Sequence, residues 1–247
     1  MTGLETSGSL REAEWRRVME AATGMGFGLS RRHHERGEPV YRDEEPADGL
    51  YVITTGAVMV TREHSGGKEA TVRILGPWDH FGHALFPEGT AGDLPVQTHA
   101  RVCSGRCEVV KIPRIFLRKA CSVRPGLVLS LVTLDNLRLA EQQEMSRCLL
   151  PRRVRSRLLE LFPILISKFG AACEDPEYME IVLHLTHHDL AGMVSASRES
   201  VTVALAELCR EGVVRTSRGR LQVRLSRLQG FPREPAPTPP ATGDGIE

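Results

Sequence analysis

The spacing of apolar residues changes once along the chain, near Pro113, and that change limits the folds available to it. Between about Arg31 and Pro113 the sequence runs in short segments: EPVY, GLYVIT, GAVMVTRE, EATVRIL and RVCSGRCEVVKI. Tyr51 alternates with Ile53, and Val58 with Val60, the period that puts every second side chain on one face of a strand. Gly37, Gly49, Gly56, Gly66, Gly67 and Gly76 fall between the segments, where turns are needed. Many short strands at such spacing predict a barrel or roll. No fixed-length repeat accompanies them, which argues against a propeller or solenoid. Beyond Pro113 the apolar residues recur every three or four positions, and helices are expected instead.

A long helix is predicted from Pro125 to about Leu150, with Leu127, Leu131 and Leu134 on one stripe that continues through Leu137 and Ala140 before thinning at Gln142, Gln143 and Glu144. Its length, about 37 Å at ~1.5 Å per residue, exceeds what one small domain needs. It suits either a spine against the strands or a seam between two copies. Pro151 then marks a hinge, because proline restricts the residue before it and favours a first helical turn. Helical spacing resumes at Val154, Leu158, Leu161 and Phe162.

The segment LTHHDLAGMVSASRESVTVALAELCREGVVRTSRGRLQV carries the strongest local signals. Thr186 is a helix cap, and Asp189 three places on gives a capping box. That helix packs through Leu190, Ala191 and Val194, and Ser195–Ala196 makes a short turn. Ser197 caps a second helix with an apolar face of Val201, Ala204, Leu205 and Leu208, ended by Gly212. Small Ala191 lets the two helices approach, as a helix-turn-helix requires. Helical geometry then turns Arg198, Glu199, Thr202 and Val203 outward. These four are the candidate base readers in a major groove: Arg198 for guanine, Glu199 for the amino group of cytosine, Thr202 and Val203 for thymine methyls. Val213–Val214 and Leu221–Val223 flank RTSRGR as a hairpin, a wing. Ser197, Ser200, Arg152, Arg153, Arg155, Arg215, Arg218 and Arg220 are candidate phosphate contacts; solvated surface arginines are the plainer alternative. The expected partner is double-stranded DNA.

A formal net charge of +1, from 32 basic and 31 acidic residues, means that such a surface must be a local patch. No apolar run approaches the ~18–20 residues that span a bilayer, and MTGLETSGSLREAEW lacks the apolar core of a secretory signal, so a cytoplasmic protein without membrane contact is expected. Six scattered cysteines are expected to be small buried hydrophobes. Cys103 and Cys107 sit in one strand-like segment where alternation would make them neighbours; burial is the preferred assignment. No P-loop, zinc-ligand spacing or nucleophile elbow occurs, so no catalytic residue, metal or cofactor is expected. The first eight residues and the proline-rich tail 231–247 are expected to be disordered, with a short helix at Leu10–Ala22.

Three blocks, RGEPVYRDEEPADGLYVITTGAVMV, ILGPWDHFG and ASRESVTVALAEL, resemble the cyclic-AMP receptor protein/FNR superfamily of bacterial regulators, in the family's order and over about residues 15–225. The resemblance implies an α+β chain. A cyclic-nucleotide-binding-like β-roll would occupy 10–124, a long dimerisation helix 125–150, and a winged helix-turn-helix 151–230. It also implies a homodimer on an inverted-repeat operator, with Leu127, Leu131 and Leu134 as its seam and RNA polymerase as a further partner.

Two departures bear on the effector. Cyclic-AMP-binding members of the family carry an acid for the ribose hydroxyl and an arginine for the cyclic phosphate. Here the cassette reads Phe81–Gly82–His83 and Gln97–Thr98–His99, and the Thr–Ser pair that reaches the base is Gln142–Gln143. An uncharged amide cannot supply the charge-assisted pairing a buried phosphate needs. Cyclic-AMP dependence is therefore not expected, and in the recognition helix Val203 replaces a second arginine. Iron–sulfur members hold cysteines largely at the N-terminus, and none precedes Cys103. His80, His83 and His99 surround the cassette, and haem-bearing members take an iron ligand nearby, for which imidazole is competent. A haem- or small-molecule-sensing module is thus the alternative reading, against solvated loop histidines in a disused cassette.

Overall fold

The computed structural model describes residues 2–41, 49–64, 68–82, 98–217 and 220–228. Helix α1 (Thr2–Gly24) opens the chain. It begins well upstream of Leu10, so the start expected to be disordered is helical. Small polar residues cost only about half a kcal/mol each in a helix, and Trp15, Val18, Ala21 and Ala22 anchor the rest of it in a core.

Eight strands follow: β1 (Ser30–Glu35), β2 (Pro39–Tyr41), β3 (Gly49–Thr55), β4 (Val58–His64), β5 (Lys68–Leu75), β6 (His80–Gly82), β7 (Thr98–Val102) and β8 (Arg106–Pro113). They form two antiparallel sheets ordered β1-β8-β3-β6 and β2-β7-β4-β5. Tyr51, Ile53, Phe81 and Val109 of the first sheet meet Val58, Val60, Leu75, Ala100 and Val102 of the second in one apolar interior. The alternation visible at Tyr51/Ile53 and Val58/Val60 is the inside of this roll. Polar β1 (SRRHHE) and short β6 left no such signal. RVCSGRCEVVKI is two strands rather than one, turned at Ser104, whose hydroxyl accepts from Ala57 N–H and donates to the Arg106 carbonyl. Gly56 meets that turn: with φ at 85°, a Cβ there would lie 2.2 Å from the Arg106 carbonyl oxygen.

Helices α2 (Arg114–Val123) and α3 (Gly126–Arg147) cover the outer face of the first sheet with α1. Leu50 and Val52, facing away from the roll interior, bury Trp15, Phe116, Leu117 and the stripe Leu127, Leu131 and Leu134. The three leucines assigned to a dimer seam therefore belong to their own chain's core. The opposite face of α3 is the open one, with Leu129, Val132, Asn136, Leu139 and Gln143 exposed at alternating three- and four-residue spacing. Period locates a helix but does not say which of two apolar stripes meets a partner.

Residues 148–153 leave the helical path around Pro151, and α4 (Val154–Phe169) begins the C-terminal unit. It continues with β9 (Gly170–Ala172), β10 (Tyr178–Ile181), α5 (His187–Met193), α6 (Arg198–Arg210), β11 (Val214–Ser217) and β12 (Arg220–Arg224). The strands form one sheet ordered β11-β12-β10-β9. Sequence period predicted the wing hairpin but not β9 and β10, which back it. Leu158, Leu161, Phe162 and Leu165 pack with Leu190, Val201, Leu205, Leu208 and Val223, and the same cluster takes in Ala57, Met59, Ile74 and Cys103 from the roll. The C-terminal unit is docked on the outer face of the second sheet.

Candidate nucleic-acid interface

Capping sets both helices of the helix-turn-helix. Thr186 Oγ1 accepts from Asp189 N–H at 3.1 Å while the Asp189 carboxylate accepts from Thr186 N–H at 2.9 Å, the reciprocal box the sequence predicted. Ser197 Oγ accepts from Ser200 N–H at 3.1 Å to start α6. Between them Ser195 takes φ of 50°, a left-handed conformation, and Ala196 N–H reaches back to the Ala191 carbonyl. Carbonyls at the end of a helix need donors, and one arginine supplies them. Arg157 of α4 donates to the carbonyls of Val194 (3.0 Å) and Ser195 (3.1 Å), and also to Pro151 in the hinge (2.7 Å). Sequence reasoning missed Arg157, since nothing local distinguishes it from its arginine neighbours.

With Val201, Ala204, Leu205 and Leu208 buried, α6 turns Arg198, Glu199, Ser200, Thr202 and Val203 to solvent. Val203, a β-branched apolar residue, is 60% exposed. Arg198 makes no ion pair among the described residues. Hydrogen bonds from its own backbone N–H and from Ser197 hold the Glu199 carboxyl below the usual glutamate range. Behind this face His187 Nδ1 lies 2.8 Å from Thr202 Oγ1.

The arginines assigned to phosphates divide into two sets. Arg152 and Arg153 are exposed and unpaired among the described residues. Arg215 instead pairs with Asp175 at 3.0 Å, bonds Gln222 at 2.7 Å and lies 3.9 Å over the Tyr178 ring, Arg220 pairs with Glu180 at 2.8 Å, and Arg155 pairs with Glu211. The acidic partners of the two wing arginines come from β10 and the turn before it, the elements the sequence did not reveal. Arg218 lies outside the described residues.

The roll places the cassette residues apart. Phe81 is buried, its ring stacked on Tyr51 at 5.3 Å, and Gly82 ends β6. Thr98 opens β7 in the other sheet, and Gln142 and Gln143 lie on α3. His83 and Gln97 lie outside the described residues. His80 is not the solvated loop histidine expected: it is buried in β6 on the outward face, edge-on to Trp15 at 5.1 Å and 3.4 Å from Asp135. Burial lowers its pKa, and the Asp135 bond only partly opposes that. His99, on β7, is exposed. Cys103 and Cys107 are both buried, with thiols pushed up to about 12 by desolvation. They are not neighbours on one face: Cys103 joins the cluster beneath the winged unit and Cys107 the roll interior.

Charge also holds the two halves together. Asp79 accepts from Arg11 of α1 at 2.9 Å and from Lys168 of α4 at 2.6 Å, while Glu141 of α3 faces the same two cations at 2.6 Å and 2.9 Å. Burial would raise the Asp79 carboxyl, but Lys168 and Arg11 outweigh it and hold it below the usual aspartate range. A second tie joins Arg101 of β7 to Asp189, the capping residue of α5. At Gly192 a Cβ would lie 2.7 Å from Thr71 Oγ1, so only glycine lets α5 sit this close to β5.

A ligand-binding-type β-roll joined through a long helix to a winged helix-turn-helix defines a class of sensor-regulator proteins. The cyclic nucleotide-binding domain profile matches residues 31–123, and the Crp-like helix-turn-helix domain profile matches residues 152–231. A CRP-like cAMP-activated global transcriptional regulator of Mycobacterium tuberculosis is 30% identical over 185 residues, 73% of this chain and 77% of that protein. A global nitrogen regulator of Synechococcus elongatus is 27% identical over 189 residues, 76% of this chain and 83% of that protein. The solved structure of FixK2 from Bradyrhizobium japonicum shares the fold, with a TM-score of 0.66 at 20% identity over 81% of this chain and 93% of that one. The chain belongs to the cyclic-AMP receptor protein/FNR family of transcription regulators; it is a DNA-binding regulator and not an enzyme. No helix among the described residues is long and apolar enough to cross a membrane.

Proposed function

We propose that the protein is a cytoplasmic homodimer that binds an inverted-repeat operator and engages RNA polymerase, without dependence on cyclic AMP. The observation that carries the reading is the outer face of α6, where Arg198, Glu199, Thr202 and Val203 are exposed over a fully packed inner face. Arg198 and Glu199 read a G·C step, Thr202 and Val203 supply methyl contacts, and Val203 removes the base pair that a second arginine would read. Ser197 and Ser200 at the start of α6, with Arg152 and Arg153, contact phosphates. Arg155, Arg215, Arg218 and Arg220 contribute less, because three of them have carboxylate partners within the chain. The dimer forms through Leu129, Val132 and Leu139, with Asn136 and Gln143 as polar positions that fix its register.

Independence of cyclic AMP is supported by His83 and Gln97, which stand where cyclic-AMP-binding members have an acid and an arginine. The relatives' names include both a cAMP-activated regulator and a nitrogen regulator, so family membership leaves the effector open. Selection of sites from random DNA by the purified protein tests the reading. The expected product is a palindrome bound without added ligand, keeping an outer G·C pair and differing from the receptor protein's half-site where Val203 lies. Strict dependence on cyclic AMP, or the receptor protein's half-site returned unchanged, would overturn it.

A further inference from the structure

We propose that His187 is a positioning residue for base recognition, holding Thr202 so that this threonine reads thymine through its methyl group alone. The inference rests on the DNA-reading assignment of α6. His187, the first residue of α5, brings Nδ1 within 2.8 Å of Thr202 Oγ1, and the same hydroxyl oxygen lies 2.9 Å from the Arg198 carbonyl one helical turn back. A hydroxyl has one hydrogen and a carbonyl only accepts, so Thr202 donates to Arg198. The imidazole must then be the donor to Oγ1, which fixes it as the Nδ1–H tautomer.

Two consequences follow for Thr202. Its hydrogen is committed, so it has no donor for a base acceptor. Its side chain is also held in one orientation: threonine in a helix divides between two χ1 rotamers, and the bond from α5 selects between them. What remains for a base edge is the methyl group, whose natural partner in the major groove is the C5 methyl of thymine. His187 thus links the two helices of the motif at the reading face itself. The Arg157 bonds to Val194 and Ser195 tie only the turn behind that face.

The test uses the full-length protein and the operator it selects from random DNA. Each thymine of one half-site is replaced in turn by deoxyuridine, which removes only the C5 methyl. In the wild type one replacement weakens binding about fourfold, the factor for burying one methyl-sized group. His187→Ala removes that sensitivity and leaves the preferences at the Arg198 and Glu199 base pairs intact. Thr202→Ser keeps the hydroxyl, loses the methyl and gives the same loss. Adding His187→Ala to Thr202→Ser moves the thymine-to-uracil ratio no further. Both side chains are exposed, so thermal melting of the variants stays close to wild type.

The proposal is overturned if His187→Ala preserves the thymine-to-uracil ratio and instead weakens every sequence alike, with a salt slope shallower by about one; that pattern marks a phosphate contact. It is equally overturned if no thymine of the wild-type site responds. A protein that selects no site at all refutes the DNA-reading assignment of α6 and this inference with it, an outcome seen before any variant is made.

Discussion

At the junction between roll and winged unit the charges are buried and mutually satisfied, whereas on the outer face of α6 they are exposed and left open. Arg11, Asp79, Glu141 and Lys168 come from α1, the turn before β6, α3 and α4, and each finds a partner of opposite sign within 3 Å. Arg198, by contrast, has no ion pair among the described residues and a clear path to solvent. A charge inside a protein must be paired because desolvation is costly, while a charge meant for an external partner must stay unpaired to be useful. The wing lies between the extremes, its Arg215 and Arg220 at the surface yet bound to Asp175 and Glu180. A basic residue in a DNA-binding unit is therefore not by itself a phosphate contact.

The junction should give the largest effect on stability. Asp79→Asn is expected to cost about 3 kcal/mol in denaturant unfolding, the low end for breaking a buried pair because Glu141 still faces both cations. The contribution has a definite pH dependence. Asp79 is held below its ordinary value, so its stabilisation is complete above the unfolded value near ~3.9 and is lost as pH falls through the lower folded value. His80 behaves in the same sense at higher pH: its pKa is lowered by burial, so stability begins to fall as pH drops below about 6.5. Unfolding curves of wild type, Asp79→Asn and His80→Gln should separate the two limbs. An acid limb unchanged in Asp79→Asn would break the contrast between the two regions.

On the open face, Arg198→Ala is expected to reduce discrimination at its base pair by about 1–3 kcal/mol with little change in melting temperature. Binding to a selected operator and to its single-base variants measures this. A variant that loses stability but keeps its base preference would place Arg198 with the junction residues instead. In the wing, Arg215→Ala should lower stability by about 1 kcal/mol, through the lost ion pair and Tyr178 contact, and leave the salt dependence of DNA binding unchanged. The smallest effect belongs to Arg152→Ala, which should leave stability and sequence preference alone and make the salt slope shallower by about 0.9. The same slope change in Arg215→Ala would show that the wing pairs open on DNA.

The capping boxes and apolar faces of α5 and α6 were legible because they depend on residues within one or two turns of each other. Thr186 with Asp189, Ser197 with Ser200, and the stripe from Val201 to Leu208 specify both helices locally. The inside of the roll was legible for the same reason, from the alternation at Tyr51, Ile53, Val58 and Val60. Strand β1 and the β9–β10 pair were not, because SRRHHE and GAA carry no apolar alternation and become strands only by pairing with β8 and β12. The His187–Thr202 bond was hidden too, since it depends on how closely α5 crosses α6.

The sequence by itself determined a strand-rich roll, a long helix, a hinge at Pro151 and a helix-turn-helix with Arg198 and Glu199 on its outer side, because local period and caps decide such elements. Tertiary structure alone decided which side of α3 is open and which basic residues are free. Leu127, Leu131 and Leu134 have the same spacing whether they meet their own roll or another chain, and only the fold assigns them to Trp15 and Phe116. Arg215 and Arg152 are likewise the same side chain in the sequence. Asp175, 40 residues from Arg215 along the chain, is what separates their roles. Pairing over such distances is set by how sheets and helices stack, and no local pattern encodes it.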